Sequence, residues 1–89
     1  MNFNIDQLKK KIIYRSNYRG TKEMDKLLGA LTKKYINQLN QDELIDLEKL
    51  LDIDDSSLYN FFNGIENEIK FDETNVLKLF KNFKYTNKD

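Results

Sequence analysis

An all-helical fold, a single compact bundle of about five short helices, is what this sequence predicts, and three observations carry that prediction. Apolar residues recur at three- and four-residue spacing along almost the whole chain, and no stretch sustains the two-residue alternation of a half-buried strand. Proline is absent and glycine occurs only three times, at 20, 29 and 64, which favours uninterrupted helices. Eighty-nine residues allow one modest core, because a chain of this length buries only about 60–65% of its unfolded surface. We therefore read residues 1–89 as one domain with an ordered core over about 5–84.

The first helix is expected from about residue 5 to Ser16 on the stripe Ile5, Leu8 and Ile12, with Asn4 and Gln7 spaced as a capping box. It ends at Asn17-Tyr18-Arg19-Gly20, where Gly20 can adopt a positive φ that residues with a Cβ resist. Thr21 then caps a second helix carrying Met24, Leu27, Leu28, Leu31 and Tyr35, with Glu23 and Asp25 in its first turn and its end near Gln38. A third helix starts at the Asn40 cap with Glu43 three residues on, and carries Leu44, Leu47, Leu50 and Leu51. Asp54 or Asp55 caps a short fourth helix through Leu58, Phe61 and Phe62, stopped by Gly64. After a loop holding Ile65 and Phe71, Asp72 is expected to cap a fifth helix with Val76, Leu79, Phe80 and Phe83. The tail from Tyr85 to Asp89 is expected to fray.

Composition excludes several chemistries. With no cysteine there is no disulfide, no thiolate nucleophile and no cysteine metal site. With no histidine, triads built on a histidine base are ruled out, as is the usual proton exchanger near neutral pH. Met1-Asn2-Phe3-Asn4 lacks a basic-then-apolar leader, and no apolar run approaches the roughly 18 residues of a membrane span, so the expected setting is a reducing cytoplasm without membrane insertion. Asp52, Asp54 and Asp55 lack the calcium-loop pattern and its glycine, and are better explained by helix capping and solvation.

Net charge is zero but unevenly spread. Residues 1–39 hold nine Lys/Arg against three acids, and residues 40–75 hold two Lys against eleven acids. Mutual neutralisation across packed helices is the plainest meaning of that division. Thirteen of the fifteen basic residues are lysine, yet both arginines, Arg15 and Arg19, fall within five positions of each other. Arginine offers a planar fork of five donors where lysine offers a point charge, so this segment needs the fork.

Arg19-Gly20-Thr21-Lys22-Glu23 is the one place where special residue types crowd a loop between two helices, where a scaffold can hold the loop rigid and facing outward. Glu23, one turn into the second helix, is placed to reach back and pair with Arg19. Arg15 should share the side of the first helix on which Arg19 emerges. Tyr14 and Tyr18 add aromatic surface, and arginine with tyrosine dominates protein-binding hot spots. The same residues also suit a plainer role: Gly20 a helix stop, Arg19 a complement to the helix dipole, Glu23 a first-turn acid.

Arg19-Gly20-x-x-Glu23-x-Asp25 resembles the Arg-Gly-x-x-Glu signature of the succinate dehydrogenase assembly factor 2 family, the SdhE-type flavinylation factors. Leu50-Leu51 followed by Asp54-Asp55-Ser56-Ser57-Leu58-Tyr59-Asn60-Phe61-Phe62 resembles that family's second block, Leu-Leu…Asp-x-x-Leu-x-x-Trp, with Phe61 where the family often has Trp. The likeness covers roughly residues 10–64. It implies a small helical assembly factor, not an enzyme, that binds the flavoprotein subunit of succinate dehydrogenase, and in some bacteria of fumarate reductase. There it promotes covalent FAD attachment by the flavoprotein's own chemistry, and the FAD belongs to the partner. It also implies that Arg19, Gly20 and Glu23 form the contact motif, flanked by Arg15, Tyr18 and Asp25, with no catalytic, cofactor-binding or metal residues. An antitoxin-like regulatory module is the competing class, distinguished by growth rescue without any change in flavin content. Nucleic-acid binding through the basic first half is disfavoured, since no helix face gathers Arg, Asn and Gln for reading bases.

Overall fold

A computed structural model describes residues 4–66 and 70–83. In it the chain forms α1 (Ile5–Asn17), α2 (Lys22–Tyr35), α3 (Gln41–Leu51), α4 (Asp55–Phe62) and α5 (Asn75–Lys81), with no strand among the described residues. Every helix begins on a side-chain cap that takes up an orphan N–H of its first turn. Asn4 accepts from the Gln7 amide, Thr21 from Met24, Asp54 from Ser57 and Thr74 from Leu77. Asn40 and Glu43 close the full reciprocal capping box expected at α3. Asn4 makes only the forward half of that device.

Two expectations shift. Helix α2 ends at Tyr35, and the chain reaches Gln38 through a turn in which the Gln38 amide bonds the Tyr35 carbonyl at 2.8 Å. Helix α5 is capped by Thr74, not Asp72, because the Thr74 hydroxyl accepts from Leu77 at 3.0 Å. With that later start α5 buries Leu77 beside Val76, Phe80 and Phe83, and leaves Leu79 half-exposed. Gly64 ends α4 as expected. Its φ of +71° admits the Gly64 amide to the Phe61 carbonyl and the Ile65 amide to the Asn60 carbonyl, the paired bonds of a Schellman motif. The tail expected to fray lies outside the described residues.

The stripes converge on one core, in which Ile12, Leu28, Leu44, Leu47, Leu51, Leu58, Val76 and Phe80 lose nearly all contact with water. Phe80 stacks on Phe61 at 6.2 Å and meets Phe62 at 5.4 Å, while Phe61 also meets Phe71 at 4.5 Å. Phe61 thus packs as an aromatic wedge between α4 and α5, where offset and tilted rings are the favoured geometry.

Helices α1 and α2 lie antiparallel. Their contact includes a buried hydrogen bond between the Ser16 and Thr32 hydroxyls at 2.8 Å, with Ser16 also donating to the Ile12 carbonyl. A Cβ on Gly29 would come within 2.6 Å of the Asn17 side chain, so glycine permits the close approach of the end of α1. Helix α3 runs alongside α1 in the same direction, as three ion pairs in matching order show: Lys11–Glu48, Arg15–Asp52 and Arg19–Asp55. Each joins the basic first half to the acidic middle, so three of the nine basic residues in that half are neutralised there.

Asp54 also receives the Ser57 hydroxyl at 2.8 Å and the Ser57 amide at 3.0 Å, and these two bonds, the hydroxyl foremost, hold its carboxyl below the usual value of 3.8. A depressed carboxyl contributes stability in full above its unfolded value and loses it as pH falls through the folded value. The melting-temperature advantage of the wild type over Asp54→Asn should therefore narrow on acidification below about 3.8. A gap that stays constant from neutral pH down into that acid range would refute the assignment.

Candidate functional site

Of the six residues expected to form the contact, Arg15, Arg19, Gly20 and Asp25 gather where the α1–α2 loop crosses the α3–α4 link. A helix leaves its last carbonyls without partners, and a cation placed there also complements its dipole. Both arginines meet that need for α3. Arg15 Nη2 donates to the Leu51 carbonyl at 3.1 Å and to Asp52 Oδ1 at 2.5 Å. Arg19 uses its whole fork: Nε donates to Asp55 Oδ1 at 2.8 Å, Nη1 to the Leu51 carbonyl, and Nη2 to the Ile53 carbonyl at 2.5 Å. Its side chain is only 9% exposed, so these charge-assisted bonds are shielded from water.

The loop backbone is tied down by the same group of residues. Asp25 accepts the Arg19 amide, and Thr21 Oγ1 donates to Asp55 Oδ2 at 3.5 Å while capping α2. Between these anchors the chain turns through Gly20 at φ +112°, a conformation that L side chains rarely adopt. A Cβ built there meets nothing within 4 Å, so the space above Gly20 is open.

The expected partnership of Arg19 with Glu23 is not what forms. Arg19 turns inward to Asp55, because a carboxylate and two orphan carbonyls lie together there and match its fork. Glu23 stays exposed on the open side of α2, with no hydrogen bond or ion pair to the described residues. It lines two shallow grooves between α2 and α4, of about 270 and 330 Å³, which share Lys22, Glu23, Met24 and Tyr59. Tyr18 stands 70% exposed with its ring 4.8 Å from that of Tyr14, and lines a separate groove on the outer face of α1 with Lys10, Ile13 and Asn17.

Sequence reasoning missed two members of this site. Asp55, taken there as a helix cap, is the partner of Arg19, and the spacing Lys11, Arg15, Arg19 set against Glu48, Asp52, Asp55 was the available signal. Tyr59, an aromatic between the buried Leu58 and the half-buried Phe61, is 44% exposed beside Glu23, and its place outside the apolar stripe of α4 was the clue. Among the described residues no group of three or more His, Cys, Asp or Glu is placed to hold a metal, and no helix is long and apolar enough to cross a membrane.

The helical scaffold thus clamps one glycine turn and leaves the Glu23 carboxylate and the rings of Tyr18 and Tyr59 uncovered beside it. The sequence matches the family described as flavinator of succinate dehydrogenase (Sdh5) over residues 10–84, and the chain belongs to that family. It is 32% identical over 81 residues to a mitochondrial succinate dehydrogenase assembly factor 2 of Lodderomyces elongisporus, covering 86% of this chain and 49% of that protein. A namesake of Dictyostelium discoideum is 36% identical over 75 residues, 84% of this chain and 53% of that one. The FAD assembly factor SdhE of Acetobacter pasteurianus is 30% identical over 61 residues, 68% of this chain and 56% of that one. The chain thus spans about half the length of the curated relatives it matches. No solved structure matches it.

Proposed function

We infer that this chain is an assembly factor that docks on the flavoprotein subunit of succinate dehydrogenase, or of fumarate reductase in some bacteria, and promotes covalent attachment of FAD to it. The flavoprotein's own groups make the bond, and the FAD is the partner's; this chain contributes binding alone. Gly20 and Glu23 make the contact, with Tyr18 at its flank, while Arg19 and Asp25 keep the loop in shape and Arg15 ties the end of α1 to the end of α3. Docking promotes the reaction by favouring the partner arrangement in which flavin and acceptor residue meet, which requires that arrangement to be bound better than others. We place this work in a reducing cytoplasm, consistent with a chain that has no cysteine.

The observation that carries this reading is the family match over residues 10–84, together with an Arg-Gly-x-x-Glu segment whose glycine and glutamate stand open to a partner. The test is an incubation of apo flavoprotein subunit with FAD, with and without this chain, followed by flavin fluorescence after denaturing electrophoresis. Covalent flavin should rise with the chain present. No gain over the control, with no complex on gel filtration, refutes the proposal and leaves the antitoxin-like class to be tested by growth rescue.

A further inference from the structure

The most firmly held residue of the loop faces inward, and what holds it lies 36 residues away on another helix. Asp55, the first residue of α4, uses its two oxygens on the two flanks of Gly20. Oδ1 accepts from Arg19 Nε at 2.8 Å, and Oδ2 from Thr21 Oγ1 at 3.5 Å. The glycine between them turns at φ +112° and is covered by nothing. A single carboxylate therefore holds Arg19 firmly and reaches Thr21 by a longer bond, and with a side chain only 22% exposed its pair with Arg19 is shielded from salt better than a surface ion pair.

We propose that Asp55 is a positioning residue of the docking site, holding Arg19 and Thr21 so that the Gly20 turn and the Glu23 carboxylate are presented in one arrangement before the partner arrives. The inference rests on the reading above that this edge docks a flavoprotein. A loop that samples many shapes binds through only the fraction in the competent one, and its apparent affinity falls by that fraction. Fixing the loop in advance removes an ordering cost from binding. The neighbouring Asp52 is the natural contrast. It is 65% exposed and among the described residues its side chain pairs only with Arg15, so it leaves both flanks of Gly20 untouched.

The experiment compares wild type, Asp55→Ala, Asp55→Asn and Asp52→Ala as full chains. Amide hydrogen exchange is read residue by residue in the free protein, and affinity for the apo flavoprotein subunit is measured alongside. In Asp55→Ala, exchange at the Arg19 and Met24 amides, held by Asp25 and Thr21, should quicken while the amides of Leu28, Leu47 and Leu51 keep their protection, and affinity should fall about tenfold. Asp55→Asn, which keeps an acceptor for Arg19, should recover part of the affinity, and Asp52→Ala should match wild type in both measurements. Unchanged exchange at the Arg19 amide in Asp55→Ala overturns the proposal. So does exchange that quickens across the whole core, since Asp55 is then merely structural, and so does an equal loss of affinity in Asp52→Ala. A wild type that binds no flavoprotein sinks the functional reading by itself, whereas the exchange pattern still decides whether Asp55 fixes the turn.

Discussion

Gly20→Arg should abolish flavinylation and complex formation while the helical circular dichroism stays close to that of the wild type. Two separate effects act at this position. The φ of +112° strains any L side chain, at a cost of about 1–2 kcal/mol in stability. The new side chain also stands in the open space above the loop, where a partner's backbone has to approach, and a contact held off by a few ångströms is lost altogether. Gly20→Ala separates the two, because it carries the strain with almost none of the bulk. Alanine should lower the denaturation midpoint much as arginine does and yet retain measurable binding. If arginine binds normally, or if it unfolds the chain, Gly20 has no interface role.

Arg19 should show the opposite pattern, a loss in the fold itself. Its fork joins Asp55 to the carbonyls of Leu51 and Ile53 with only 9% of the side chain exposed. Arg19→Ala strands the partly buried Asp55 carboxylate and the Ile53 carbonyl, while the Leu51 carbonyl keeps Arg15, and should cost about 3 kcal/mol in chemical denaturation. Arg19→Lys keeps the charge but cannot span the three acceptors, and should cost about 2 kcal/mol. A lysine variant as stable as wild type would mean that charge alone suffices and that the fork geometry is incidental. The ordering also bears on function, since a loop loosened at Arg19 presents Gly20 and Glu23 less often.

The helices were largely legible in advance because their signals are local. Asn40 and Glu43 announce the start of α3 three residues apart, and Gly64 announces the end of α4 where the chain needs a positive φ. The α5 cap was misplaced for a related reason. Asp72 and Thr74 are both competent caps two residues apart, and the packing of Leu77 beside Phe80 selects the later start. The Arg-Gly-x-x-Glu segment likewise stood out by residue type, and its loop lies between the two helices that the periodicity assigns.

The direction in which each member of that segment faces was not legible. Periodicity and composition put Arg15 and Arg19 on one side of α1, and both do reach the Leu51 carbonyl. Nothing near them in the chain says that this side meets the end of α3. Local chemistry offered Glu23, four residues from Arg19, as its partner, and the fold supplied Asp55 instead, 36 residues away. Helix boundaries, caps and the need for glycine at position 20 follow from forces that act within a turn or two, so residue order is enough to reveal them. Whether an arginine serves as an outward contact or an inward clamp depends on which orphan carbonyls and carboxylates the packed core brings beside it, and only the tertiary structure decides that.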